Sequence, residues 1–320
     1  MVGGSSPGAQ AVANAVIGKL SGDGVLLMYD STTSMEPVLQ AAQDVCRNPR
    51  PFLVVCDAAA PPISGLIRSV ALEGGLERTT LLRLDLAANG AAQRVVEESA
   101  NAARFLEAAF VDGQRFEPTL RFLAPDAAKH TPFAPEDNLL VLGGGKGIAA
   151  ECAFELARRY GCSLALVGRS SPVPGSELHS NLNRLANFGI RFRYQRADVT
   201  DPTELSSTVD AVQADLGPIT AVLHAAGLNE PKALATLTTA DIELTLRPKL
   251  APLELLEHSL DFHQLKALIA FGSIIARIGF HGEAHYAHAN ELLRENMEQL
   301  STIYQAVSYT HLTLPTTERV

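Results

Sequence analysis

The sequence predicts an α/β protein built from two doubly wound parallel sheets. Three observations support this: strand-type runs alternate with helical patterns, a proline-rich stretch separates two such series, and a glycine-rich turn links the first strand of the second series to a helix. Alternating strands and helices are typical of parallel βαβ units, in which helices cover the sheet.

Composition indicates a globular chain with a large core. The protein has 320 residues, 47% of them hydrophobic and 19% charged. At about 150 residues per domain, this length favours two domains. The net charge is −9 and no run of Lys and Arg is clustered, which argues against nucleic acid as a partner.

The cysteine pattern and the N-terminal sequence indicate in which cellular compartment the protein is expected. Cys46, Cys56, Cys152 and Cys162 are scattered and form no CxxC pair, so neither a zinc knuckle nor a disulfide framework is indicated. No apolar run is long enough to span a bilayer, and the first residues lack the basic and apolar regions of a signal peptide. We therefore expect a cytoplasmic protein with no membrane partner.

The first half alternates buried-strand and helical patterns. Strand-type runs occupy 24–30, 51–58 and 79–86, and helical spacing occupies 36–47, 65–74 and 91–105. No glycine-rich phosphate loop follows any of these strands. The first half is therefore predicted to have the architecture of a nucleotide-binding fold without the parts that hold a nucleotide.

The second half begins after the proline-rich linker, predicted at 124–137. Its strand candidates occupy 139–142, 162–169, 190–199, 219–227 and 265–273, with helical segments between them and a helix at 290–305. The predicted domains are a structural subdomain at 1–123 and a catalytic subdomain at 138–305.

The last residues differ from the rest. Residues 306–320 are rich in Thr and have no apolar periodicity, so we predict a tail outside the native fold. A doubly wound sheet would normally continue with further strands, and the second sheet is therefore expected to be incomplete at its C-terminus.

The glycine-rich turn is the first candidate site. Gly143, Gly144, Gly145 and Gly147 follow a strand and precede a helix in which apolar residues recur from Ile148 onward. Glycines let a backbone approach a pyrophosphate, and a helix N-terminus offers unpaired N–H groups. The context predicts a dinucleotide site, which a tight turn alone would not.

The end of the next strand indicates which dinucleotide. An NAD site wants an acidic residue there, whereas this chain has Arg169 and Ser170, and Lys146 adds a cation from the glycine-rich turn. Arginine suits a ribose 2′-phosphate, so NADPH is predicted; the alternative is two solvated surface cations. Asp198 and Val199 end the third predicted strand, where an acid and a backbone N–H are predicted to reach the adenine; the alternative for Asp198 is an ordinary turn residue.

Four further residues form the candidate catalytic set: Lys249, Ser273, Tyr286 and Asn290. Ser273 is predicted to close a buried strand, and Tyr286 and Asn290 are four residues apart, which puts them on one face of a helix. Singly, each could be an ordinary core or surface residue. In this order, behind this turn, they favour catalysis.

Taken together, GGGKGIAAECA, GRS, ADVTD, HAAG, Lys249, FGS and HYAHAN resemble the ketoreductase domains of polyketide and fatty acid synthases, members of the short-chain dehydrogenase superfamily. In ordinary short-chain dehydrogenases Lys follows Tyr by four and Asn comes earlier. Here Lys249 lies upstream and Asn290 downstream, the exchange typical of the synthase enzymes. The first half is similar to the family's structural subdomain, a degenerate Rossmann-like unit.

The resemblance implies a mechanism. Tyr286 would donate a proton to a ketone while NADPH delivers hydride, Ser273 would bind the same oxygen, Lys249 would stabilise the tyrosinate and hold the nicotinamide ribose, and Asn290 would support the proton relay. It also implies that Ala225, Ala226 and Gly227 lie against the cofactor. The substrate would be a β-ketoacyl thioester on an acyl carrier protein, and other synthase domains would be partners.

Several positions depart from the family pattern. Leu142 stands before the double glycine in place of Thr, and the stretch beginning at Leu228 lacks the Leu-Asp-Asp signature of one stereochemical class. Ile278 stands where the opposite class has Trp. The hydroxyl configuration is therefore not predicted, and the missing C-terminal segment leads us to expect weak activity or none from the isolated chain.

Zinc-binding and serine-hydrolase patterns find less support in the sequence. His281, His285 and His288 lie close together, but HGEAH does not match the HExxH zinc pattern, and no metal is predicted. The sequence contains no GxSxG elbow, so a serine hydrolase is not indicated. His224 is predicted to end a strand beside the cofactor. A stand-alone dehydrogenase and a structural or inactive reductase domain remain the alternatives to an active ketoreductase.

Overall fold

The computed structural model describes residues 2–20, 22–101, 103–119 and 133–304. Most of the predicted linker at 124–137 and all of the predicted tail at 306–320 lie outside these residues. None of the helices described is both long and apolar enough to cross a membrane.

The structure forms two sheets with helices around each. The strands of the first sheet are β1 (Val2–Gly3), β2 (Val25–Tyr29), β3 (Phe52–Asp57), β4 (Thr79–Leu84), β5 (Phe105–Val111) and β6 (Gln114–Phe116). Their helices are α1 (Pro7–Ile17), α2 (Met35–Arg47), α3 (Ser64–Glu73) and α4 (Ala91–Ser99). The α/β prediction with two Rossmann-like parallel sheets is confirmed.

The second sheet follows the same plan. Its strands are β7 (Asn138–Leu142), β8 (Ser163–Gly168), β9 (Phe192–Arg196), β10 (Ala221–His224) and β11 (Ala267–Ala270). The remaining helices are α5 (Gly147–Tyr160), α6 (Glu177–Asn187), α7 (Pro202–Leu216), α8 (Thr239–Ser259), α9 (Ile275–Ile278) and α10 (Ala284–Ile303), with short 3₁₀ turns at Leu234–Thr236 and Phe262–Gln264.

The two sheets differ in strand order. The first runs β1-β2-β3-β4-β5-β6, in chain order, and only the β5–β6 pair is antiparallel. The second runs β11-β10-β7-β8-β9, all parallel, so its order reverses between β7 and β10. Ligands of open α/β sheets bind where the order reverses, because the connections leave the strand ends on opposite faces and open a crevice there. This places the candidate crevice beyond the carboxyl ends of β7 and β10.

Strand alternation decides which helix covers which face of the second sheet. In β7, Leu139 and Val141 pack with α5 and α6, whereas Leu140 and Leu142 pack with α7, α8 and the part of α10 from Leu293 onward. Both faces are therefore buried, which explains why β7 is apolar throughout, as parallel strands covered on both sides are.

The first sheet is also covered on both faces. Helices α1 and α4 pack on alternate residues such as Met28 and Leu82. Helices α2 and α3 pack on each other and on the strands, where Leu27 is fully buried on the opposite face.

Several elements of the first half differ from the sequence-based expectation: β1, α1, β5 and β6 were not predicted, and α4 is shorter than predicted. The helix predicted at 91–105 ends at Ser99, because the Asn101 side chain accepts the Ala103 amide at 2.9 Å and closes a turn, and Phe105 then begins β5. A glycine turn does follow a strand, since β1 leads through Gly4 into α1; the two-residue strand was too short to recognise.

That first turn is filled by a side chain of the same unit. The Asp30 carboxylate, after β2, accepts the Ser6 amide at 3.0 Å just before α1, and it also accepts the Thr32 amide at 3.0 Å. Hydrogen bonds from Thr32, Ser6 and Thr33 outweigh its desolvation and hold the pKa of Asp30 well below its usual range. An internal carboxylate therefore takes the anion position of this turn.

The residues fall into two compact units, and each unit is made of three separate stretches of the chain. Unit 1 contains the described parts of Met1–Pro125, Glu230–Glu243 and Ile274–Leu292, and unit 2 those of Asp126–Asn229, Leu244–Ser273 and Leu293–Val320. Two segments that the sequence assigned to the domain at 138–305 thus group with the first sheet. The domain limits drawn from the sequence remain a prediction.

Helix α3 attaches these segments within unit 1. The Gly65 amide donates to the buried Glu291 carboxylate at 2.8 Å, and Ser69 Oγ accepts the Phe280 amide at 3.1 Å. The Glu73 carboxylate accepts the Leu234 amide at 2.6 Å and the Gly282 amide at 3.0 Å. Side chains of one helix therefore hold the backbone of both segments.

Gly65 is the point of closest approach. A Cβ added there would lie 3.0 Å from the carbonyl oxygens of both Ala276 and Ala287, which are backbone atoms that cannot rotate away. Only glycine lets α3 lie this close to α9 and α10.

We expect Gly65→Ala to lower the free energy of unfolding by about 1–3 kcal/mol, because overpacking against backbone exceeds the gain in helix propensity. Urea unfolding followed by circular dichroism measures this. The matched control is Gly18→Ala, at a right-handed helical φ of −69° with nothing within 4 Å of the added Cβ. Equal stability of the two variants would contradict the close packing.

Candidate active site

An open cleft of about 380 Å³ lies in unit 2, at the carboxyl ends of β7, β8, β9 and β10. Nine of the twelve residues predicted to bind the cofactor line it. These are Gly143, Lys146, Arg169, Ser170, Asp198, Val199, Ala225, Ala226 and Gly227. The strand-order reversal and the predicted residues therefore coincide.

The glycine-rich turn is shaped by close contacts. Gly143 has a φ of +78°, and an added Cβ would lie 2.9 Å from the Ala226 amide nitrogen. At Gly144 a Cβ would come within 2.5 Å of Val141 Cγ1. Only glycine fits either position without a shift of its neighbours.

The start of α5 is held by a carboxylate. The Gly147 amide donates to Glu177 Oε1 at 2.7 Å. Gly147 and Ile148 are exposed on the first turn of α5, and neither they nor Gly144 line the cleft. The role of these three residues in cofactor binding remains a prediction.

The charges around the cleft are mainly positive. Lys146, Arg169 and Arg247 line it, against the single carboxylate of Asp198. A hydrogen bond from the Thr200 backbone, one from the Thr200 side chain, and the charges of Arg169 and Arg247 lower the pKa of Asp198 below its usual value. Three cations beside a glycine turn suit a ligand with several phosphates.

Ten residues that were not predicted to bind the cofactor also line the cleft, among them Arg247, Gly145 and Tyr194. Arg247 precedes Lys249 by two positions in α8, and that proximity was the available signal. Gly145 belongs to the recognised turn. Tyr194 lies in the middle of β9, where the sequence pattern does not separate a cleft residue from a core residue.

Lys249 is buried in unit 2. Its Nζ donates to the Phe271 carbonyl at 2.7 Å, and burial lowers the pKa of Lys249 from 10.5 to about 8. A Cβ on Gly227 would lie 2.8 Å from Lys249 Cε. Because Gly227 lines the cleft, the lysine side chain lies directly behind the cleft wall.

His224 supports the lysine from β10, where it ends the strand as predicted. Its Nε2 lies 3.0 Å from the Lys249 carbonyl oxygen, which assigns the ring proton to Nε2. Burial lowers the pKa of His224 to about 4, so the ring is neutral near pH 7. Its role is to fix the backbone of Lys249.

Ser273 also belongs to unit 2 and is partly buried. Strand β11 ends at Ala270, so Ser273 lies three residues beyond the strand that it was expected to close.

Tyr286 and Asn290 lie in unit 1, on the first part of α10. Asn290 Nδ2 donates to the Tyr286 carbonyl at 2.8 Å, so the two residues share a face as their spacing predicted. Burial raises the pKa of Tyr286 above its usual value, although the Asn290 amide opposes this shift. The phenol therefore keeps its proton at neutral pH.

Two of the three neighbouring histidines, His285 and His288, are buried. His285 Nε2 lies 3.0 Å from the Glu230 carbonyl oxygen, and burial lowers the pKa of His288 to about 4. Within the described parts of the chain, no three His, Cys, Asp or Glu side chains are grouped so that they could hold a metal ion.

Comparison with known proteins decides the family. The family model described as KR domain matches residues 138–310, more than half of the chain. This chain belongs to the KR domain family. Membership makes it a ketoreductase-type oxidoreductase of the short-chain dehydrogenase class, a family that uses nicotinamide cofactors.

The relatives of this KR domain include very large proteins. Polyketide synthase GfsB of Streptomyces halstedii is 34% identical over 161 residues, which are 50% of this chain and 3% of that protein. Polyketide synthase PksN of Bacillus subtilis (strain 168) is 29% identical over 163 residues, 51% of this chain and 3% of that protein. The KR domain therefore spans only a few per cent of the length of the relatives it matches.

Solved structures share the fold. PlmKR1, the ketoreductase from the first module of phoslactomycin biosynthesis in Streptomyces sp. HK803, has a TM-score of 0.78 at 23% identity, covering 96% of this chain and 74% of that one. The first ketoreductase of the tylosin synthase has a TM-score of 0.76 at 21% identity, covering 95% and 70%. The likeness extends through the first sheet as well as the second.

The cleft of the KR domain fits a nicotinamide dinucleotide. Its glycine turn precedes a helix, small residues from Ala225 to Gly227 form one wall, and cations lie where phosphates are expected. The donors present suit the group.

The burial of the Lys249 ammonium should make the free energy of unfolding depend on pH. A pKa lowered from 10.5 to about 8 corresponds to roughly 3 kcal/mol of unfavourable burial below pH 8. Between those values the unfolded chain binds more protons than the folded one, so stability rises with pH. We expect Lys249→Met to be more stable than the parent at pH 7, with a gap that narrows from pH 8 towards 10.5.

Thermal unfolding between pH 7 and 10 measures this gap. Lys19→Met, at an exposed position, controls for loss of one positive charge. A gap that stays constant with pH would refute the burial argument.

Proposed function

We propose that this KR domain reduces the ketone of a β-ketoacyl thioester to the β-hydroxyacyl form, with NADPH as reductant and with an acyl carrier protein holding the substrate. The observation that carries the proposal is the position of Lys249, buried against Gly227 at the wall of the cleft that Lys146, Arg169 and Arg247 line. A buried lysine at that wall costs stability, and catalysis gives a reason for it.

The choice of NADPH rests on the cations of the cleft. Arg169, at the end of β8, takes the position where an NAD enzyme has an acidic residue, and Lys146 lies in the neighbouring turn. Ser170 and Asp198 would bind the adenosine ribose and base. NADPH, once bound, would supply the hydride that the carbonyl carbon accepts.

The proton would come from Tyr286. Its raised pKa keeps the phenol protonated, so it can donate to the carbonyl oxygen as that oxygen gains charge. Ser273 would donate a hydrogen bond to the same oxygen. The positive charge of Lys249 would stabilise the tyrosinate, which a relay supported by Asn290 would protonate again.

The assembly is inferred from the relatives. GfsB and PksN are named polyketide synthases, and the matched segment is a small part of each. We infer that this domain works beside other synthase domains in the cytoplasm, in polyketide biosynthesis or the related fatty acid biosynthesis. The second possibility is a structural or inactive reductase domain of such a synthase.

The deciding experiment follows NADPH oxidation by the chain with an N-acetylcysteamine β-ketoacyl thioester. We expect ketone-dependent oxidation that Tyr286→Phe reduces by about 10²–10⁴-fold, since the variant lacks the proton donor. Tyr304→Phe, near the other end of the same helix, removes the same atom and should leave the rate unchanged.

Two other outcomes are informative. NADPH binding without oxidation in any variant would favour the inactive domain. Oxidation that Tyr286→Phe leaves intact would overturn the assignment of the proton donor.

A further inference from the structure

Tyr194 contacts two loops that line the cleft: the glycine-rich turn that bears Lys146 and the loop after β8 that bears Arg169. Its hydroxyl lies 2.6 Å from the Ser170 carbonyl oxygen and 3.1 Å from the Gly168 carbonyl oxygen. A phenol has one proton to donate, and the shorter distance assigns it to Ser170. The side chain of β9 thus reaches across to the loop after β8.

The hydrogen bonds to this loop form a set. The backbone amide of Ala197 also donates to the Gly168 carbonyl at 3.1 Å, and Arg196 Nε donates to the Arg169 carbonyl at 3.1 Å. Three consecutive carbonyl groups, those of residues 168 to 170, therefore all accept hydrogen bonds from β9 or the residue after it. The backbone on either side of Arg169 is held in one conformation.

The ring of Tyr194 contacts the other loop. A Cβ on Gly145 would lie 3.3 Å from Tyr194 Cε2, so the aromatic edge packs directly against the glycine-rich turn. Both Gly145 and Tyr194 line the cleft. One side chain therefore contacts both the turn that bears Lys146 and the loop that bears Arg169.

The hydroxyl of Tyr194 stays protonated at neutral pH. Burial raises the pKa of its hydroxyl above the usual value, so the group remains a donor. Arg169, by contrast, is exposed, and the hydrogen bond that it makes with the described residues is accepted by its backbone carbonyl from Arg196 Nε, not made by its guanidinium. Its position depends on the backbone that Tyr194 holds.

We propose that Tyr194 is the positioning residue for NADPH selectivity, acting through Arg169 by fixing the loop from Gly168 to Ser170. The inference rests on the proposed use of NADPH. A guanidinium that starts from a fixed backbone loses less freedom when it binds a 2′-phosphate, so the phosphate gains affinity that a plain ribose hydroxyl does not.

The test compares two pairs of ligands that differ only in the 2′-phosphate. Dissociation constants are measured by calorimetry for 2′,5′-ADP against 5′-AMP, and for NADPH against NADH. In Tyr194→Phe, which keeps the ring and removes the hydroxyl, we expect affinity for the two 2′-phosphate ligands to fall about three- to tenfold. Affinity for 5′-AMP and NADH should stay within twofold of the parent.

Tyr160→Phe, at the end of α5, controls for loss of a phenol hydroxyl in the same unit. The double variant with Arg169→Ala separates positioning from general loosening: once Arg169 is absent, Tyr194→Phe should cause no further loss. An equal fall for all four ligands would mean that Tyr194 supports the cleft as a whole and would overturn the proposal.

Failure of the inference differs from failure of the proposed cofactor. If Arg169→Ala removes the preference for 2′-phosphate ligands while Tyr194→Phe retains it, NADPH stands and the role of Tyr194 is wrong. If the parent and Arg169→Ala bind both members of each pair equally, the cofactor proposal fails, and the inference fails with it.

Discussion

The buried hydrogen bond from the Gly65 amide to the Glu291 carboxylate holds the helix that carries Tyr286 against α3. A carboxylate at the start of a helix is stabilised by the unpaired amides and the helix dipole, which makes its burial tolerable. The absence of a side chain at Gly65 allows the close approach that the bond requires. Glu73 adds a second tie, because its two oxygens bind the backbone at Leu234 and Gly282. The order of the candidate proton donor therefore depends on a helix of the first sheet.

This arrangement gives the first sheet a structural role. Its strands follow chain order, so no reversal opens a crevice at their carboxyl ends. The glycine turn before α1 is closed by Asp30, whose carboxylate accepts the Ser6 amide at 3.0 Å. A sheet of this kind is suited to hold other segments of chain, and unit 1 shows two such segments packed into it.

The second sheet places chemistry where its order reverses. Residues that follow four different strands converge on one cleft, and His224 fixes the backbone of Lys249 from β10. The lysine is buried at a cost to stability that the hydrogen bond from its Nζ to the Phe271 carbonyl partly offsets. We attribute the proposed preference for a 2′-phosphate to residues of β9, which hydrogen-bond the loop that bears Arg169.

The sequence by itself determined the α/β class, all the strands of the second sheet, the glycine-rich turn and the spacing of Tyr286 and Asn290, because these depend on local periodicity and on glycine chemistry. It did not separate α4 from β5, where the Asn101 turn competes with the helix, and it missed the short strands β1, which pairs with β2, and β6, which pairs with β5. Tertiary structure alone decided that Arg247 and Tyr194 reach the cleft and that residues 274–292 pack with α3. The physical reason is that these contacts join residues distant in the chain, through backbone groups whose hydrogen bonds leave no pattern in the sequence.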